Sequence, residues 1–122
     1  MSAPVESLPE DATLASARAL FRLRQFRYVP VVSPETHPVG MLTDRQPFLR
    51  SQIDRGLVRD TMLTDVITTT PDTGLRDLLR VMVHAQLGAL PVTTEAQVLI
   101  GIITTSDVLR TIAATDNLDL WA

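Results

Sequence analysis

The stretch GIITTSDVLR, residues 101–110, decides the fold because the chain writes it twice. An apolar run ends in Gly101-Ile102-Ile103, and Thr104-Thr105-Ser106-Asp107 then opens a helical pattern. Sixty-one residues earlier stands Gly40-Met41-Leu42-Thr43-Asp44-Arg45-Gln46. The offset holds across both halves without a gap. Val5 meets Val66, Asp11 meets Asp72, Leu14 meets Leu75 and Gln25 meets Gln86. Pro30-Val31 meets Pro91-Val92, Gly40 meets Gly101 and Thr43 meets Thr104. The matches fall on glycine, proline and apolar anchors, the positions that fix backbone shape and core, so the chain reads as an internal duplication.

Each copy has the same order. A short stretch ends in a turn, at Ser7–Asp11 and at Ile67–Asp72. A helical pattern comes next, with Leu14, Ala17, Leu20, Phe21 and Phe26 in the first copy. In the second, Leu75, Leu78, Leu79, Met82 and Val83 recur at spacings of three and four. β-type runs succeed them, Tyr28–Val32 and Ala89–Thr93, then a loop and a second strand, Val39–Leu42 and Val98–Ile103. A closing helix is expected over Asp44–Gln52 and Thr105–Ala114. The order is β-α-β-β-α twice, an α/β (α+β) fold. Pro30 and Pro91 lie inside strands and cannot donate to a ladder, which predicts an edge or a bulge at each.

Composition narrows the function classes. The 122 residues include no cysteine, which removes disulfides and thiolate metal sites. Hydrophobic residues make up 45% and aromatics only 4%, so the core must be aliphatic. Mean hydropathy is +0.16. The longest apolar run, Val98–Ile103, is far short of the ~20 residues that cross a bilayer. Met1-Ser2-Ala3-Pro4-Val5-Glu6 lacks the basic and apolar regions of a signal peptide. The expectation is a soluble, cytoplasmic chain without membrane insertion. Net charge is −3, so nucleic acid is not an expected partner. Arg18, Arg22, Arg24 and Arg27 cluster, but no aromatic stacking platform accompanies them, and they are read as a solvated helix face. His37 and His84 have no partner at ligand spacing, so no metal is expected. No serine sits in a nucleophile elbow, and no catalytic constellation is present.

A Pro-Val strand, a loop, then Gly-apolar-apolar-Thr-x-x-Asp, in tandem, resembles a pair of cystathionine-β-synthase-type (CBS) domains, the Bateman module. Val58-Arg59-Asp60-Thr61-Met62 resembles the lead-in that precedes such a repeat. The resemblance covers about residues 5–115. It divides the chain into repeat 1 (1–52), a linker and lead-in (53–65), repeat 2 (66–115) and a tail (116–122). It implies two units packed with pseudo-two-fold symmetry. It also implies a non-enzymatic regulatory module that binds AMP, ADP, ATP or S-adenosylmethionine between the repeats, with no cofactor required. Such modules commonly form homodimers and regulate an enzyme, channel or transporter. A ligand-free dimerisation or scaffold module is the alternative.

The chemistry of such a site fixes the candidate residues. A ribose presents two vicinal hydroxyls, and the Asp107 carboxylate is suited to accept both. A helix N-terminus supplies unpaired N–H groups to a phosphate, and Thr104 and Ser106 add hydroxyls there. Ile67, Thr68, Ala89, Leu90 and Pro91 are candidates for the adenine slot. In relatives the residue three before the strand proline often reaches a ligand phosphate in the other repeat's cleft. That position is Arg27, beside Tyr28, in copy one and Gly88 in copy two. Thr104 and Asp107 equally suit a helix cap, and both readings stand. In copy one Gln46 replaces the aspartate, and Thr43 with Gln46 suits a capping box, so Thr43 and Gln46 are expected to form a second, weaker cleft. The tail carries Leu118, Leu120 and Trp121, apolar enough to dock on the module or on a dimer mate.

Overall fold

A computed structural model describes residues 6–50 and 55–114. The first repeat comprises β1 (Leu8–Pro9), α1 (Leu14–Arg24), β2 (Tyr28–Val32) and β3 (Pro38–Thr43). The second comprises α2 (Leu75–His84), β4 (Ala89–Thr93), β5 (Leu99–Thr104) and α3 (Thr105–Ala114). The tail lies outside the described residues. No described helix is long and apolar enough to cross a membrane.

The duplication is geometric as well as sequential. β4 and β5 lie 61 residues after β2 and β3, and both hairpins pair antiparallel with the same register. A bulge falls between Val31 and Val32 in one and between Val92 and Thr93 in the other. Gln25 and Gln86 both take left-handed backbone at φ 54°, and Thr36 and Gln97 match at 66° and 68°. Leu8 pairs in parallel with Val31, and Thr69 with Val92, again 61 residues on.

Each repeat buries its own apolar core, with the Phe21–Phe48 ring pair in the first. Ala17 and Phe21 of α1 meet Val29, Val31 and Leu42 of the first hairpin. Leu78 and Met82 of α2 meet Leu90 and Val108 in the second. Fully buried residues such as Val29, Leu42 and Leu90 each contribute about 1.5–3 kcal/mol. The repeats touch through a Leu99 N–H to Thr36 carbonyl hydrogen bond of 2.9 Å and through Tyr28 packed against Gly88.

The linker is stitched to the first repeat. Val58 opens a short 3-10 turn, Val58–Asp60, and is wholly buried in the first core. Its N–H donates to the Ala12 carbonyl, and Arg59 N–H donates to the Glu10 carbonyl. Met62 packs onto Gly40, where a side chain would collide with the Met62 sulfur. Leu63 then exchanges two hydrogen bonds of 2.9 Å with Met41 of β3.

Four sequence expectations need correction. Of the helix expected over Asp44–Gln52, the described residues 44–50 form only a 3-10 turn at Pro47–Leu49. Pro47 stands where Val108 sits inside α3, and it has no N–H to donate. It also pushes Gln46 to extended backbone, at ψ 144°, so residues 44–46 stay out of a helix. Arg18 is not solvated. It is 6% exposed, and its Nε donates to the Phe48 carbonyl at 3.0 Å. Arg22 reaches the Leu49 carbonyl at 3.4 Å, while Arg24 pairs with Glu6. Two of the four arginines thus hold the turn that replaces the missing helix. Val83 is not on the core face of α2 but 70% exposed. Pro30 is not in an edge strand, because β2 is the middle strand of β1-β2-β3, but its own position is left open on the β1 side, and the bulge lies one residue further on. Proline is tolerated because β1 pairs only from Val31 onward. In the second repeat the Pro91 carbonyl accepts from Thr69 N–H, and no ladder donor is required of Pro91 on that side.

Candidate functional site

A cleft of about 210 Å³ lies between the repeats. Its first wall is the end of β3 and the turn beyond it: Met41, Thr43, Asp44 and Arg45. The second is the loop into β4 and that strand's start: Gln86, Leu87, Gly88, Ala89 and Pro91. The tether between the sheets supplies Leu63, Asp65, Val66 and Ile67. Tyr28 of β2 reaches across and fills the space that a Gly88 side chain would need. The interior is mostly apolar, whereas Asp44, Arg45 and Asp65 are exposed and so stand where the cleft meets solvent.

Gln46 is locked in place beside Thr43. Its Oε1 accepts from Thr43 N–H at 2.7 Å, and its Nε2 donates to the Thr61 carbonyl at 2.7 Å. Both ends of the amide are therefore used inside the chain. The second repeat forms the same link with a carboxylate. Asp107 Oδ2 accepts from Thr104 N–H at 2.9 Å and from the Thr104 hydroxyl at 3.0 Å, and Asp107 N–H donates back at 3.2 Å. Oδ1 pairs with Arg110. The Asp107 side chain is 16% exposed, and this burial pushes its carboxyl up. Hydrogen bonds from the Thr104 N–H and hydroxyl and from Arg110 outweigh burial and hold it below the usual aspartate value.

Two Gly-x-x-Thr segments with one geometry, each closing a hairpin and each 61 residues from the other, define the kind of module. The CBS domain family matches residues 1–46 and 58–114. The chain belongs to the CBS domain family. As a CBS pair it is 34% identical over 113 residues to the uncharacterized protein MJ1225 of Methanocaldococcus jannaschii, covering 90% of this chain and 40% of that one. It spans between a fifth and somewhat under half of the curated relatives it matches. Among solved structures it resembles the CBS domain pair of protein MJ0100 in complex with 5′-methylthioadenosine and S-adenosyl-L-methionine. The TM-score is 0.80 at 18% identity, covering 93% of this chain and 91% of that one. It also resembles the cytosolic domain of the Mg2+ channel MgtE in complex with ATP. There the TM-score is 0.76 at 25% identity, covering 88% and 44%.

The pair's symmetry locates the remaining candidates. Ile67, Ala89, Pro91 and Tyr28 meet in the cleft with Thr43, and Thr104, Ser106 and Asp107 do not line it. Leu90 is wholly buried in the second core, and Thr68 is half-buried outside the lining. Shifted by 61 residues, Thr104, Thr105 and Ser106 correspond to Thr43, Asp44 and Arg45, and Arg27 corresponds to Gly88. Arg27 is exposed, and its carbonyl accepts from Asp44 N–H as the Gly88 carbonyl does from Thr105 N–H. Sequence reasoning missed Asp44, Arg45 and Asp65. The available signal was Pro47, which forces the residues after Thr43 out of a helix.

Proposed function

We propose that this CBS pair is a non-catalytic regulatory module. It binds an adenosine-containing ligand between its repeats and senses energy or metabolite state for a partner enzyme, channel or transporter. The observation that carries this reading is the inter-repeat cleft, with an apolar interior for a base and polar groups at its mouth. The ligands of the MJ0100 and MgtE structures support the chemical class. A ligand bridging the repeats biases the partner by its differential affinity for two packings of them. Thermal unfolding with AMP, ATP, S-adenosylmethionine and 5′-methylthioadenosine tests this. A binder at about 100 times its dissociation constant adds about 2.7 kcal/mol. No shift with any of them sinks the reading.

The second reading, a ligand-free dimerisation scaffold, draws on Gln46 and Asp107, whose polar atoms are already paired within the chain. In either case a homodimer is expected, and Val83 and Leu109, 70% and 64% exposed on α2 and α3, are apolar side chains that such an interface would cover. Sedimentation showing monomer alone at micromolar concentration removes the dimer.

A further inference from the structure

The described cleft is poor in anion donors. After Thr43 there is no helix N-terminus, only a three-residue 3-10 turn that starts four residues later. Three backbone donors at the end of β3 and in the turn after it are consumed locally. Thr43 N–H goes to Gln46 Oε1, Asp44 N–H to the Arg27 carbonyl and Gln46 N–H to the Thr43 carbonyl. Pro47 has none. The position that could bring a cation from the second repeat is Gly88, and its space is taken by the Tyr28 hydroxyl. The lining holds two carboxylates, Asp44 and Asp65, and one guanidinium, Arg45, a net single negative charge.

The volume says which part of a ligand meets those charges. About 210 Å³ is below the roughly 300–1,000 Å³ of a typical ligand pocket. An adenine seated in the apolar interior would leave its 5′ group at the mouth among Asp44, Arg45 and Asp65. A phosphate there meets a net like charge. A thioether meets no penalty, and a sulfonium or ammonium meets two carboxylates.

We propose that this cleft selects adenosine derivatives whose 5′ group is neutral or cationic, a thioether or a sulfonium, over adenine nucleotides that carry phosphate. The proposal rests on the reading of the cleft as an adenosine site. Calorimetric titration of the full chain at low salt tests it with 5′-methylthioadenosine, S-adenosylmethionine, AMP and ATP. The first two are expected to bind at least about tenfold more tightly than the last two, each tenfold being about 1.4 kcal/mol. In the Asp44→Asn, Asp65→Asn double variant, AMP is expected to gain at least about threefold, and 5′-methylthioadenosine to change by less than about twofold. AMP or ATP binding as tightly as the thioether in the parent overturns the selectivity and leaves the adenosine site standing. A preference that the double variant leaves intact overturns the role of the two aspartates. If no adenosine derivative binds at all, the reading of the site falls and the selectivity with it.

Discussion

The Tyr28 hydroxyl occupies the space that a side chain on Gly88 would enter, so one repeat keys into a gap left by the other. Gly88→Ala is expected to force Tyr28 out or strain it, costing about 1–3 kcal/mol in urea unfolding. Adding Tyr28→Ala to Gly88→Ala removes the collision. The two substitutions should therefore be strongly non-additive, and simple additivity disproves the contact.

Gln46 explains why the first repeat does without the acid of the second. Its amide accepts from Thr43 and donates to the Thr61 carbonyl. A carboxylate could make only the first bond and would face the second carbonyl with nothing to donate. Gln46→Glu is expected to cost about 1–3 kcal/mol at neutral pH. The loss should shrink in acid, where the protonated carboxyl regains a donor. Chemical denaturation at pH 7 and pH 4 reads both.

Asp107 carries the opposite pH signature. Its folded-state pKa is lowered, because the Thr104 and Arg110 bonds outweigh burial. The stability it contributes is therefore fully present above the unfolded aspartate value of about 3.9 and is lost as pH falls through the lower folded value. Asp107→Asn should be less stable than the parent at pH 7, with the gap closing below about pH 4. A gap that stays constant with pH means that the charge is not what matters.

Arg18 is a buried cation whose Nε holds the Phe48 carbonyl. Arg18→Ala is expected to destabilise the first repeat by about 2–4 kcal/mol, leaving that carbonyl with one donor fewer and a hole beside Phe48. Arg22→Ala, whose bond is longer and exposed, should cost less than about 1 kcal/mol. Equal losses would remove the distinction.

The duplication made much of this fold legible. Proline and glycine recurring at a fixed offset aligned the two copies, and the limits read for β2, β4 and α3 coincide with those of the structure. Side-chain periodicity was weaker. Arg18 falls at the position of Leu79 in the second repeat, and a spacing rule cannot say that the carbonyls of a 3-10 turn will satisfy it. Val83 keeps the core spacing and still faces outward, because only packing decides how wide the buried stripe of α2 is. At the site, the residue types around Ile67, Ala89 and Pro91 were readable. Which Thr-containing turn they face was not, because that depends on how the two repeats dock.

The stitched linker has a mechanical consequence. Leu63 is bonded to Met41 in the first sheet, and Thr69 is bonded to Pro91 and Thr93 in the second. Residues 64–68 are the short rope between those knots, and Asp65, Val66 and Ile67 run along the cleft. Any change in the spacing of the sheets must be taken up along that rope, and whatever fills the cleft presses on it directly. The segment that measures the gap between the repeats is thus the same segment that feels the gap being filled.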